Sequence, residues 1–220
     1  MRRSAVGDVL PQDLLLDRAG VVEVLDRLLA SARGGQWPAG APYRHVNGFT
    51  KIVAAEHADR SRLTLHYWPA SPGAAPDVSR PHDHRFPFIS VLLGGRQHFV
   101  ELEEAPGGDA WRRFTYRPYL GGRLAHVTHD GEARLAPVRT VDRRPLEGHY
   151  AVTSAVVHQA VTDRAAACAT LVLRGPRERR RSRVYYRPGE PPPRGGLQLG
   201  RRLDRAEVVR QLSDVAAMLG

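Results

Sequence analysis

Cysteine and lysine are almost missing from this chain: of 220 residues, Cys168 is the only thiol and Lys51 the only lysine. A single thiol can close no intramolecular disulfide and build no thiolate zinc cluster, which fits a reducing, cytoplasmic compartment. Long apolar runs are missing too. No window approaches the roughly 18 uninterrupted apolar residues of a membrane span, and the basic start Met1-Arg2-Arg3 leads to Asp8, Asp13 and Asp17 instead of the apolar core of an export signal. There is no internal repeat and no helix-turn-helix or other nucleic-acid motif. The formal charge of +10 comes from arginines scattered through strands and turns, whereas a nucleic-acid face would gather its charge on one element. The one local concentration, Arg177-Glu178-Arg179-Arg180-Arg181-Ser182-Arg183, follows an apolar strand and reads as a solvated turn.

With 42% apolar and 25% charged residues the composition is globular, and the length suits one elaborated domain. From Pro11 to Arg33 the residues Val21, Val22, Leu25, Leu28 and Leu29 recur at helical spacing opposite Asp17, Glu23, Asp26 and Arg27, and Gly34-Gly35 stops the pattern. At the other end Asp204 and Glu207 make a D-x-x-E start ahead of Val208, Val209, Leu212, Val215, Ala216 and Leu219. Each stripe is wide enough to face the chain's own core or a second copy in a homodimer. Between the helices the period changes to two. Alternating runs at 62–68, 88–93, 97–102, 111–116, 123–127, 133–139, 151–153 and 156–161, with 168–174 just before Gly175-Pro176, read as short strands. Stretches 69–81 and 187–200 are Pro/Gly-rich connections. The expected organisation is an N-terminal helical segment (1–35), a mainly β sandwich or closed jelly-roll barrel (40–187), and a linker with a C-terminal helix (188–220).

Only one group of histidines has a spacing that a metal would impose: Pro81-His82-Asp83-His84-Arg85-Phe86-Pro87-Phe88-Ile89-Ser90. In a strand, alternate side chains point the same way, so His82 and His84 share a face and can direct two imidazoles at one ion. Phe86, Phe88 and Ser90 share that parity and would wall the ion from water. The alternative for an isolated H-x-H is a pair of histidines at a solvated strand entrance beside Asp83.

Set in a chain of short strands, these residues resemble the cupin superfamily, whose motifs run G-x5-H-x-H-x3-4-E-x6-G and G-x5-P-x-G-x2-H-x3-N. The first corresponds to His82, His84 and Gly95, with Phe88 at the place of the glutamate and Pro76 at that of the first glycine. The second corresponds to Gly148 through His158, one residue short and without its proline or its final asparagine. The likeness spans residues 43–187. It implies a cupin-like double-stranded jelly roll with His158 as third ligand, and a family often found as dimers. Three neutral imidazoles and no glutamate would leave a divalent ion its full charge and open positions for water, dioxygen or a chelating anion. Three-histidine centres of this kind resemble those of iron-dependent cupin dioxygenases acting on thiols or diketones. The resemblance therefore implies Fe(II), with Zn as the alternative because imidazole suits both.

His66, on a strand with Thr64 and Trp68, reads as an ordinary core or rim histidine or as a fourth barrel-lining one. His98 and Arg96 share parity on the strand after Gly95, making His98 a candidate proton donor and Arg96 a candidate anchor for a carboxylate through its planar fork. Arg85 should point away from the ligands, Tyr116 and Tyr150 could offer phenols, and Cys168 reads as a small buried hydrophobe. Three readings follow: an Fe(II) oxygenase taking a small carboxylate-bearing substrate and dioxygen, a Zn-dependent isomerase, lyase or hydrolase, and a non-catalytic module binding a small molecule or nucleic acid.

Overall fold

Asp17, itself in an extended conformation, accepts a hydrogen bond from the Ala19 amide, opening helix α1 (Arg18–Arg33). Asp204 does the same for α2 (Arg205–Met218) by accepting from the Glu207 amide. These details come from a computed structural model, which describes residues 17–37, 39–45, 47–119, 124–197 and 201–220; the part of the expected first helix from Pro11 to Leu16 lies outside them. No helix among the described residues is long and apolar enough to cross a membrane.

Antiparallel strands occupy the middle of the chain: β1 (Tyr43–Arg44), β2 (Thr50–Glu56), β3 (Arg62–Trp68), β4 (Asp77–Val78), β5 (Phe88–Gly94), β6 (Gln97–Tyr119), β7 (Leu124–Asp142), β8 (Tyr150–Val152), β9 (Val157–Thr162), β10 (Cys168–Arg174), β11 (Ser182–Tyr186), β12 (Gly196–Leu197) and β13 (Arg201–Arg202). One sheet has the order β13-β1-β2-β3-β10-β5-β8; the other runs β12-β7-β6-β9-β4, with β11 also paired to β6. Two such curled antiparallel sheets with a helix at each end of the chain form a cupin-like jelly roll.

The outer face of the first sheet carries Ile52, Leu63, Leu65, Val91, Leu93, Ala169 and Leu171, and these pack against Val21, Leu25, Leu28 and Ala32 of α1 and Val208, Leu212 and Val215 of α2. Both helical stripes are thus turned to the chain's own core, except for Val22 of α1, which is exposed. Strand alternation turns the intervening residues, among them Lys51, Arg62, Thr64, His66, Phe88, Ser90, Val172 and Arg174, toward the second sheet. There Phe88 and Val172 meet Phe99 of β6, Val141 of β7 and Ala160 of β9 in the inner core. Cys168 is fully buried, and burial pushes its thiol up to about 12.

Two differences from the expected strands have a common cause. The four runs expected at 97–102, 111–116, 123–127 and 133–139 are two long strands, β6 and β7, whose irregularities at Glu104/Asp109, where 105–108 bulge out of the ladder, and at Arg112/Phe114 break the alternation while pairing continues on either side. Strand β2 is hidden in sequence because Ile52, Val53, Ala54 and Ala55 are all buried and a bulge lies between Val53 and Ala55, so no alternation is left to read.

Gly95, singled out by its motif spacing, joins β5 to β6 at φ +82°, and a Cβ there would lie 2.5 Å from the Ala167 carbonyl oxygen and 2.7 Å from Cys168 Cα. Both the left-handed backbone and the close approach of β10 require glycine. Gly95→Ala is expected to cost about 3 kcal/mol or more, since strain and overpacking add; chemical denaturation would show it, and an unchanged midpoint would contradict this account.

Candidate metal centre

The segment before β5 is held by single bridges instead of a long ladder. His82 pairs with His158 of β9 through both backbone hydrogen bonds, each 3.0 Å, and bridges Val184 of β11 on its other side. Residue 82 is thereby fixed directly opposite residue 158, although 76 positions separate them, and alternation returns His84 to the same face. The ligand nitrogens of His82, His84 and His158 all lie within 4.8 Å of one another. His84 Nε2 and His158 Nε2 are 3.3 Å apart. Two metal–nitrogen bonds of about 2.1 Å meeting at an angle between square and tetrahedral would set two nitrogens roughly 3.0–3.4 Å apart, so the pair fits one ion.

Protonation also suits ligation. His82 Nδ1 lies 2.8 Å from the Arg80 carbonyl oxygen, which fixes the proton on Nδ1 and leaves the Nε2 lone pair free. Burial holds the His82 imidazole below its ordinary range. Burial, then the neighbouring His82 and His158, holds His84 well below it; burial and His82 do the same for His158. Near neutral pH all three rings are therefore neutral donors.

The wall is aromatic. Phe88, at the place of the family's glutamate, stands edge-on to His84 at 5.0 Å and to His158 at 5.7 Å. Phe99 meets His158 edge-on at 5.3 Å and stacks on Tyr150 at 4.0 Å. Burial and the Glu101 carboxylate push the Tyr150 phenol upward, so it stays protonated. No carboxylate joins the cluster among the described residues.

Between the two imidazoles, Asp83 points the opposite way and is buried. Its carboxylate accepts from Arg179 Nη1 and Arg183 Nε, both at 2.8 Å, and from the Arg183 backbone amide at 2.5 Å. The basic run expected to be a solvated turn thus divides: Arg177, Arg180 and Arg181 are exposed, but Arg179 and Arg183 clamp the backbone that carries the two ligands. Nothing in the run itself marks which guanidiniums turn inward; pairing of β11 with β6 decides it.

The two residues expected to act on substrate lie elsewhere. On β6 it is Gln97 and Phe99 that face inward, so His98 lies on the opposite face, half-exposed, with Val100. Arg96 is exposed in the β5–β6 turn, where its carbonyl accepts from the Asp163 amide. Across the Gly95 turn the inward positions change from even on β5, as at Phe88, to odd on β6, as at Phe99. His66 faces the interior, tilted against Phe49 at 4.5 Å with a buried Nε2 that has no partner, but it does not join the ligand cluster. Sequence reasoning passed over Lys51 and His45. Lys51 pairs across to His66, and its charge, after burial, is the main influence that lowers His45 to about 3.

No protein-family model and no curated protein matches the chain. Solved structures similar to it include a cupin superfamily protein from Desulfitobacterium hafniense (10% identity over 57% of this chain and 75% of that one, TM-score 0.33). A cupin domain from Bordetella pertussis shares 12% identity over 58% of this chain and 93% of its own, with a TM-score of 0.33. A hydroquinone 1,2-dioxygenase from a Sphingomonas species shares 11% over 62% and 68%, with a TM-score of 0.34. Likeness at this level says nothing about reaction or substrate. By its two curled sheets, its terminal helices and three histidines gathered between the sheets, this chain is similar to the metal-binding cupins.

Proposed function

We propose that this protein is a cytoplasmic, metal-dependent oxygenase that holds Fe(II) through His82, His84 and His158 and oxidises a small carboxylate-bearing substrate with dioxygen. The observation that carries the reading is the donor set: three neutral imidazoles, with Phe88 in place of an anionic ligand. Bound there, Fe(II) would supply Lewis acidity and one-electron chemistry, with its charge uncompensated by the protein and coordination positions left for an anion and dioxygen. The chain's own contribution is to fix the three rings through the His82–His158 bridge and the Asp83 clamp, and to exclude water with Phe88, Phe99 and Tyr150. The same imidazoles suit Zn(II), which would make the reaction a non-redox isomerisation, elimination or hydrolysis.

The test is oxygen uptake by metal-free protein reconstituted with Fe(II) or Zn(II), against small carboxylates bearing a thiol, hydroxyl or 1,3-dicarbonyl group. Uptake with Fe(II) at least tenfold above a protein-free control supports the oxygenase. Substrate loss with Zn(II) and no oxygen uptake would replace it by the Lewis-acid enzyme.

A further inference from the structure

The chain's only lysine is inside the barrel. Three rows of paired residues cross the inner face of the first sheet: Lys51–His66–Thr170, Val53–Thr64–Val172–Ser90 and Glu56–Arg62–Arg174–Phe88. The first and third rows bring three cations and one carboxylate, Glu56, to a face whose other occupants are aromatic, aliphatic or hydroxylic. Arg174 stacks on the Phe86 ring at 4.6 Å, and Phe86 lies 5.4 Å from His84, so one ring separates this guanidinium from the metal cluster. Lys51 lies directly across from His66, whose ring packs between Phe49 and Trp68 on that inner face, so alternation sends the lysine to the same side.

Anions that would balance this charge are scarce. Glu56 pairs with Arg62 at 2.8 Å, and among the described residues no carboxylate lies within ion-pair distance of Lys51, Arg85 or Arg174. Arg62 Nε and Arg174 Nε are buried donors without an acceptor. Burial, then Arg174 and Arg62, pulls the Lys51 ammonium down to about 8, and burial with Arg62 pulls Arg174 down to about 10. Such crowding of like charge is destabilising unless a ligand supplies the missing anion.

We propose that Lys51, Arg62 and Arg174 form an oxyanion seat one aromatic ring away from the three histidines, so that the substrate carries a second anionic group, carboxylate or phosphate, beyond the group that meets the metal. This deepens the reading of the site as a metal-dependent enzyme and rests on it for the word substrate; the seat itself does not need the metal. Planar guanidiniums suit either oxyanion, while a lysine serves as a point charge for both.

The test is calorimetric titration of the metal-free protein at low salt with inorganic phosphate and, separately, with succinate. It compares wild type with Lys51→Met, Arg174→Gln and the outer-surface control Arg27→Gln. Saturable binding by wild type and Arg27→Gln, weakened at least tenfold in both seat variants, is the expected result, and the tighter of the two anions names the group. Lys51→Arg, which keeps the charge, should retain more affinity than Lys51→Met; it also keeps the test open should Lys51→Met misfold. Absence of saturable binding of either anion to wild type, or affinities of the folded seat variants within twofold of wild type, would overturn the seat. Metal content measured on the same preparations separates the two ideas: anion binding through Lys51 in a chain that takes up no metal would end the enzyme reading and leave the seat, and metal uptake with anion binding indifferent to these substitutions would do the reverse.

Discussion

His158→Gln empties the metal centre. Protein purified without chelators is expected to hold about one first-row metal per chain, and the variant less than about a tenth of that, because two imidazoles from one strand entrance cannot close a site built for three. Glutamine keeps much of the ring's volume between Phe88, Phe99 and Tyr150, so the change removes a donor without opening a large cavity. Elemental analysis gives both the stoichiometry and the identity of the ion. Thermal denaturation gives an independent measure: stripping the metal from wild type should lower its stability by about 4 kcal/mol if the free ion had stood at a thousandfold its dissociation constant, and should leave the variant unmoved. Equal metal content in the two proteins would mean that His158 binds nothing.

Asp83→Ala should be the change most damaging to the metal centre outside its ligands. Removing one member of a buried ion pair costs about 3–5 kcal/mol, and the lower end applies because Arg179 and Arg183, a third exposed, can hydrate once the carboxylate is gone. The consequence for the site is larger than the loss of stability suggests. Asp83 lies between His82 and His84 in the chain, and its bonds to Arg179, to Arg183 and to the Arg183 amide hold that backbone against β11. Supporting contacts around metal ligands are worth roughly 10- to 100-fold in affinity, and a drop in that range is expected in a competition titration with a chromophoric chelator. Asp83→Asn, which keeps the shape but not the charge, should lie between Ala and wild type. A destabilised Asp83→Ala protein with undiminished metal affinity would show that the clamp serves stability alone.

Much of the fold could be read locally. The apolar stripes of α1 and α2, the Asp204 cap and the alternation of β3, β5 and β10 are short-range patterns that the structure keeps, whereas Asp17, expected on the polar face of a helix from Pro11, is the extended cap of one that begins at Arg18. Strand β2 could not be read, because burial on both faces and a bulge erase the alternation that identifies a strand. With it went Lys51, visible in sequence as the only lysine but without a face until β2 paired with β3. His98 and Arg96 share a parity that the sequence shows, but which parity of β6 faces inward is set by its pairing with β7 and β9, and it is that of Gln97 and Phe99.

The amino-acid order alone determined the close pair of donors, since His82 and His84 are bound to share a face wherever the chain there is extended. It also determined the neutral character of the centre, by supplying Phe88 where the motif calls for an acid. Likeness to the second motif already pointed to His158 as the third donor, and the structure gathers it with the pair; which two arginines of the basic run turn inward and which cations line the interior were decided only in three dimensions. Those outcomes depend on strand register, bulges and the pairing of segments far apart in the chain, such as Arg183 beside Thr115 and Arg174 beside Phe88, and no local period encodes them.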